Sequence, residues 1–233
     1  MKTLAGPQSG AQGHIVASRN RSGQFLRQRV SPHNPRTAAQ RRVRDNLRTF
    51  SRLWNQLTEP QRAAWCAAAC HVLSRPNLGK PHPLDGQKFF NKINTVLATC
   101  GREPLLEPPP RPAFGPNPVV ALEATNGPDE IALTLRLSET PAEDIMLFAS
   151  PPCNAGRSYC SNFGFMGLLP AADESISHIT RLYLRKLREL KKLKRYRHVA
   201  LAGSRVFVRA VQQVNGWEDK RHMFVSSAVV PPG

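Results

Sequence analysis

Arginine is the residue type with the clearest chemistry in this sequence, because its planar guanidinium group pairs with phosphate and carboxylate groups. Residues 18–48 contain nine arginines and one acidic residue, Asp45. A second basic run, residues 175–198, contains nine Lys and Arg and one acidic residue, Glu189. We expect an anionic partner, either a nucleic acid or an acidic protein, to be bound by Arg19, Arg21, Arg27, Arg29, Arg41, Arg42, Arg44, Arg185, Lys186, Lys191, Lys192, Lys194 and Arg195.

Single apolar residues are interleaved with the arginines of the first run. Phe25, Leu26 and Val30 lie inside it, and Ile15 and Val16 lie just before it. A segment with so few apolar residues cannot close a hydrophobic core by itself. We therefore expect Phe25, Leu26 and Val30 to form assembly contacts with a partner surface.

Metal binding and catalysis find little support in the sequence. Cys66, Cys70 and His71 lie within two helical turns, but a structural zinc ion needs four ligands and no second pair accompanies them. The five cysteines, including Cys153 and Cys160, are expected to be reduced and mostly buried. No nucleophile motif accompanies the seven histidines, and no glycine-rich phosphate loop is found. We predict a non-enzymatic protein without catalytic, cofactor or metal sites and without a small-molecule substrate.

The net charge of +17 is unevenly distributed along the 233 residues. Residues 111–174 hold three basic and eight acidic residues, so the excess charge comes from the two basic runs. A basic patch of this kind is typical of proteins that bind nucleic acid, an anionic membrane or an acidic protein face. The N-terminus does not resemble a signal peptide and no apolar run reaches transmembrane length. We expect a cytoplasmic protein, or one that leaves the cell in a virion or other particle.

Residues 1–36 predict a basic hairpin arm, because Asn20 and Gly23 favour the conformations that a tight turn requires. A helical module is predicted at 37–102. Two T-x-x-Q patterns, Thr37 to Gln40 and Thr58 to Gln61, are capping boxes that begin its first two helices.

The first helix of this module has one predicted apolar stripe, and a third helix is expected from about Gln87 to Gly101. We expect Trp54, Trp65 and Phe90 to form the core. The stripe consists of Val43, Leu47, Phe50, Trp54 and Leu57.

A proline-rich linker is predicted at 103–118, and a β-domain at 119–233. Apolar residues alternate with polar ones in the β-domain, which indicates antiparallel strands with one buried face. The basic run at 175–198 predicts an amphipathic helix inserted between strands, either packed on the sheet through its leucines or also binding anions. The fold class is therefore predicted to be α+β, with a C-terminal antiparallel β-sandwich.

Two stretches carry a resemblance to known proteins. The pattern SRNRSGQFLRQRVSPHNPRTAAQRRVR followed by WNQLTEPQRAAW resembles the N-terminal signature of uncharacterised small basic proteins of bacterial and phage-like genomes. A fibronectin type III-like or immunoglobulin-like sandwich often follows that signature, and residues 118–230 are similar in strand order. The resemblance implies no activity, cofactor or catalytic residue.

Two functions remain open on this reading. We favour a structural or interaction protein that assembles with itself or with a larger particle, possibly a phage-derived virion, through its basic arm. The alternative is a sequence-nonspecific nucleic-acid-binding protein that uses the arm and the basic helix. Regular alternation of the apolar residues favours assembly, whereas phosphate binding needs only clustered positive charge.

Overall fold

The computed structural model describes residues 9–20, 23–31, 34, 36–73, 82–126, 131–169, 176–191 and 202–231. Helices and antiparallel sheets both occur in this part of the chain, which confirms the α+β class. The chain divides into two compact units, Met1–Arg44 and Asp45–Gly233. The four-part organisation expected from the sequence, with parts at 1–36, 37–102, 103–118 and 119–233, stays a prediction.

The first unit contains a three-stranded antiparallel sheet of β1 (Gly10–Gln12), β2 (Ile15–Asn20) and β3 (Gly23–Gln28). Asn20 pairs with Gly23, so β2 and β3 form the expected hairpin. Arg21 lies between these strands and outside the described residues. Strand β1 was not expected, because its glycine-containing sequence lacks the apolar alternation of a strand.

Three helices follow, α1 (Ala38–Gln56), α2 (Glu59–Ala69) and α3 (Gly86–Thr99). Both predicted capping boxes are confirmed. The Thr37 hydroxyl accepts from the Gln40 backbone N–H at 3.3 Å, and the Thr37 N–H donates to the Gln40 side chain at 3.2 Å. Thr58 and Gln61 make the same reciprocal pair at the start of α2.

A cluster of aromatic and aliphatic residues forms the helical core of the second unit. Trp65 and Phe90 are fully buried, with ring centroids 5.1 Å apart, and Trp54 packs on Phe90 at 5.6 Å. The predicted stripe on α1 is only partly buried, since Val43 is 55% and Leu47 46% exposed. The buried cluster begins only at Phe50.

The proline-rich segment is anchored within the second unit. Leu105 exchanges two hydrogen bonds with the buried side chain of Asn94, at 2.8 and 3.2 Å. The Trp65 indole N–H donates to the Leu106 carbonyl at 2.7 Å, and the Trp217 indole N–H donates to the Pro109 carbonyl at 3.2 Å. These bonds fasten the segment to the helices and to the strands that follow.

Two antiparallel sheets make up the rest of the second unit. One has the order β4-β5-β9. In the other, β10 is central and pairs with β6, β7, β11 and β12, while β8 pairs with β6. The strands are β4 (Val119–Asn126), β5 (Ile131–Leu137), β6 (Asp144–Ala149), β7 (Cys153–Asn154), β8 (Gly164–Leu168), β9 (Ile176–His178), β10 (Ser204–Val214), β11 (Trp217–Glu218) and β12 (Phe224–Val229).

Both sheets contribute to one hydrophobic core, and helix α4 (Thr180–Lys191) joins them there. Ile179, Tyr183 and Leu187 lie on the buried side of the α4 segment. The Tyr183 hydroxyl donates to the carbonyl of Ser150 at 3.2 Å, which satisfies the only polar atom of a buried ring. The amphipathic helix therefore packs its apolar side on the sheets, as the sequence predicts. It begins at Thr180 and not at residue 175 as predicted, because Ile176–His178 pair with β5 as strand β9.

The turn between β10 and β11 lies against α3. A Cβ on Gly216 would lie 2.7 Å from the Ile93 carbonyl oxygen and 2.7 Å from its Cγ2, and Gly216 has a φ of +83°. Trp217 packs on Phe89 with ring centroids 5.2 Å apart. This close approach joins the helical core to the second sheet.

We predict that Gly216→Ala destabilises the protein by about 3 kcal/mol or more, because it adds a steric overlap to the strain of a left-handed φ. Gly203→Ala is the matched control, since Gly203 has a φ of +72° and no neighbour within 4 Å. The control should lose only about 1–2 kcal/mol. Urea unfolding measures both, and equal losses would contradict the close approach of this turn to α3.

Candidate anion-binding surface

The hairpin of the first unit presents basic residues on both faces. Arg27 pairs across the sheet with Val16, and Arg19 pairs with Gln24. Because neighbouring residues of a strand point to opposite faces, Arg19 and Arg27 lie on different faces. Arg29 extends the ladder by one bond, its backbone N–H donating to the His14 carbonyl at 2.7 Å. All three arginines are exposed.

Asn34 organises the chain between the hairpin and α1. Its side-chain oxygen accepts from the Arg36 backbone N–H at 3.3 Å and from the Arg44 guanidinium at 2.9 Å. Arg36 has a φ of 47°, which is uncommon for a residue other than glycine. The Asn-Pro-Arg-Thr motif thus combines this turn with the capping box at Thr37, and it fixes the position of Arg44.

Three predicted anion-binding residues lie in the first turns of α1. Arg41, Arg42 and Arg44 are all exposed. Positive side chains at a helix N-terminus are unfavourable for the helix dipole, so this placement does not serve the stability of the helix. An anion bound nearby would offset both the side-chain charge and the dipole.

The composition of the first unit leaves this charge uncompensated. Met1–Arg44 contains nine Lys and Arg and no Asp or Glu. None of its described residues is buried. An ion pair within the unit is therefore impossible, and the sheet has no core of its own.

The predicted assembly contacts do not share one face. Ser18 pairs with Phe25 and Ala17 with Leu26, so the two large side chains point to opposite sides of the hairpin. Both are half-buried, whereas Val30 is 71% exposed.

The basic residues of α4 differ in their surroundings. The Arg185 guanidinium donates to the Met166 carbonyl at 3.1 Å. The Lys186 side chain is 20% exposed and its Nζ lies 3.6 Å from a Glu189 carboxylate oxygen. Lys192, Lys194 and Arg195 lie outside the described residues, and so does the side chain of Lys191. The described part of α4 thus uses two of its predicted anion-binding residues for contacts within the chain.

A groove on the second unit was missed by the sequence analysis. It has a volume of about 780 Å³, and its walls come from three separated segments, at 71–73, 111–114 and 217–222, together with Leu84 and Lys92. In the sequence, the aromatic and charged run Trp-Glu-Asp-Lys-Arg-His at 217–222 could have indicated one wall of this groove. The other walls are brought there only by tertiary packing.

Asp219 holds the 219–222 turn of this groove. Its buried carboxylate accepts from the backbone N–H of Arg221 at 2.8 Å and lies 2.7 Å from His222 Nδ1. Burial by itself raises the pKa of Asp219, but the hydrogen bonds from Arg221 and His222 outweigh it and hold the pKa below its ordinary value. The turn therefore depends on an ionised carboxylate.

The cysteines are more accessible than the sequence suggests. All five are free thiols, with Cys66 and Cys70 exposed and the others half-buried, so the expectation of mostly buried thiols was wrong. Burial raises the pKa of Cys100 to about 11, and burial beside Cys160 raises that of Cys153. The described residues contain no group of three or more His, Cys, Asp or Glu side chains placed to hold a metal ion.

Comparisons of the chain with protein-family models, with curated proteins and with solved structures give no match. None of the described helices combines the length and the apolar character needed to cross a bilayer.

We predict that Asp219→Asn lowers the free energy of unfolding by about 1–3 kcal/mol at neutral pH, because charge-assisted hydrogen bonds are lost. A carboxylate whose folded pKa is depressed stabilises the fold above its unfolded pKa, and this contribution is lost as the pH falls through the folded pKa. The difference between wild type and Asp219→Asn should therefore shrink below about pH 4.

The matched control for this pH series is Asp45→Asn, because the Asp45 side chain is 63% exposed and, among the described residues, forms an ion pair with Arg48 alone. Its effect on urea unfolding should stay within about 0.5 kcal/mol at every pH. A constant difference between wild type and Asp219→Asn from pH 7 to pH 3 would show that the carboxylate charge does not hold the turn.

Proposed function

We propose that this chain is a binding protein, without enzymatic activity, whose N-terminal unit docks on the phosphate backbone of a nucleic acid. The observation that carries the proposal is the uncompensated charge of Met1–Arg44, with nine basic residues, no acidic residue and no described residue buried. A small sheet without a core gains stability when it docks on a partner. Clustered arginines favour an anionic partner.

The charge of the second unit favours a nucleic acid over a second copy of the chain. Asp45–Gly233 contains the remaining 24 Lys and Arg and all 16 acidic residues, so its net charge is also positive. An arm of one copy would approach a body of the same sign. A phosphate backbone instead releases condensed counterions when arginines neutralise it, which favours binding.

The hairpin register also supports phosphate binding. Insertion into an apolar groove is strongest when the large apolar residues share one face, and Phe25 and Leu26 do not. Arg19 and Arg27 likewise lie on different faces, which suits a curved or flexible polyanion that contacts more than one side of the arm. We propose that binding is independent of base sequence.

Assembly with other protein subunits is the second candidate. It is favoured by Ile15, which is 49% exposed and lies on the same hairpin face as Leu26, and by Val30. In this case the partner is an acidic face of a neighbouring subunit in a larger particle, such as a virion. The two candidates differ in whether the arginines or the apolar residues carry the binding energy.

We also propose that the β-domain is a fibronectin type III-like sandwich. The strands of a fibronectin type III fold are conventionally lettered A to G, and they form the sheets A-B-E and C′-C-F-G. The orders β4-β5-β9 and β8-β6-β10-β12 correspond to these two sheets and support the assignment. One core between the sheets supports it as well. The insertion of α4 between β9 and β10 is the feature that departs from a simple sandwich.

We predict that the full-length chain binds duplex DNA with an affinity that falls steeply with salt concentration. Arg29→Gln should reduce the slope of log affinity against log salt by about 0.9, because one phosphate contact is lost. Val30→Ser is the matched control, since it changes the adjacent exposed side chain and removes no charge. Fluorescence anisotropy with a labelled duplex measures both.

The assembly candidate makes the opposite prediction for the same pair of variants. It requires that Val30→Ser lowers the molar mass found by light scattering after nuclease treatment, while Arg29→Gln leaves DNA binding unchanged. That result would contradict nucleic-acid binding by the arm.

A further inference from the structure

The groove on the second unit has an excess of positive charge. Lys92, Arg111, Lys220 and Arg221 line it, and the acidic residues that line it are Glu218 and Asp219. Both acids are already paired with a basic residue. Glu218 pairs with Lys220 at 2.9 Å, and Asp219 pairs with His222.

Arg111 and Arg221 are the cationic groups of the groove that lack such a partner. Neither forms an ion pair with an acid in the part of the chain that the structure describes. Both residues are exposed. An anion that entered the groove would therefore meet two guanidinium groups, which are suited to phosphate oxygens.

An aromatic wall lies beside these cations. Trp217 is half-buried, and its ring is fixed by the hydrogen bond to Pro109 and by packing on Phe89. Lys92 Nζ and Arg111 Cζ each lie 5.9 Å from the centre of this ring. The groove thus combines a fixed indole with cationic groups at a short distance.

The main chain at Arg221 is held in place as well. Its backbone N–H donates to Asp219, and the same carboxylate holds His222. This part of the groove is therefore organised before a ligand arrives, which lowers the entropy cost of binding.

We propose that this groove binds a nucleotide, with its phosphate held by Arg111 and Arg221 and its base against Trp217. This inference rests on the proposed function, because the class of ligand, a nucleic acid, comes from there. It adds a second site, which binds a single-stranded segment. Aromatic side chains beside a cationic groove are the usual means of binding single strands, since every base has a face that can stack. The volume of about 780 Å³ lies in the range that encloses small organic ligands.

The test uses the full chain with Arg19, Arg27 and Arg29 changed to Gln, so that the hairpin contributes less to binding and all groove variants share one background. Fluorescence anisotropy of a labelled short oligodeoxythymidine follows its titration with the protein. The double substitution Arg111→Gln and Arg221→Gln should weaken binding by about tenfold or more, because charge-assisted hydrogen bonds are lost. Trp217→Phe keeps an aromatic ring on Phe89 and should weaken binding less.

The matched control is the double substitution Arg48→Gln and Arg136→Gln, which removes two exposed positive charges that pair with Asp45 and Glu123 and do not line the groove. It should leave oligodeoxythymidine binding within about twofold of the parent protein. An equal loss of oligodeoxythymidine affinity in the control and in the groove variant would overturn the proposal, because any exposed positive charge would then contribute equally to binding.

Competition separates the possible sources of the nucleotide. Displacement of the oligonucleotide by thymidine monophosphate supports a site for free nucleotides, and displacement by oligonucleotides alone supports a site for a strand. Equal displacement by inorganic phosphate would overturn the proposal, since the base would then contribute nothing.

The inference and the proposed function can fail separately. If the groove variants leave oligonucleotide binding unchanged while the arm variants weaken duplex binding, the groove site is wrong and the arm proposal stands. If the groove variants weaken oligonucleotide binding and the arm variants leave duplex binding unchanged, the groove site stands and the arm proposal is wrong.

Discussion

Electrostatic repulsion within Met1–Arg44 is the constraint on which our account of this protein depends. Nine positive charges occupy 44 residues, and no acidic side chain of the same unit can neutralise them. Many of these charges lie within a few residues of each other, and at physiological salt, charges closer than about 8 Å still repel. None of the described residues of the sheet is fully buried, so hydrophobic burial offers little in return. An external anion is the simplest way to remove the repulsion and to cover the sheet.

The second unit is built differently, around contacts between distant parts of the chain. Gly216 lies against Ile93, Trp217 packs on Phe89, and Asn94 fixes the proline-rich segment through Leu105. Each contact depends on a small or buried group that tolerates few substitutions. These contacts connect helices and sheets, and they also build the groove where Trp217 meets Arg111.

Local sequence patterns predicted the parts of the fold that depend on neighbouring residues. The capping boxes at Thr37 and Thr58 satisfy backbone groups within one helical turn, and the turn at Asn20 and Gly23 closes a hairpin. Their physical cause lies within a few residues, so the sequence alone contains it.

Features that depend on tertiary packing were predicted less well. The proline content predicted an extended linker at 103–118, but carbonyls of this segment are acceptors for Trp65 and Trp217, which no local pattern indicates. Val43 and Leu47 continue the apolar period of α1 without being buried. For the candidate sites, the charge of the arm was evident from composition. The groove was not, because Lys92, Arg111 and Arg221 are far apart in the sequence.

Amide hydrogen exchange of the hairpin, with and without a DNA duplex, tests the central claim most directly. We expect the amides of β2 and β3 to exchange rapidly in the free protein, because a sheet without a buried face opens easily, while β10 stays protected. Adding a duplex at low salt should protect β2 and β3, and raising the salt should remove that protection. Protection of β2 and β3 as strong as that of β10 in the free monomer, or no change on adding the duplex, would contradict the account.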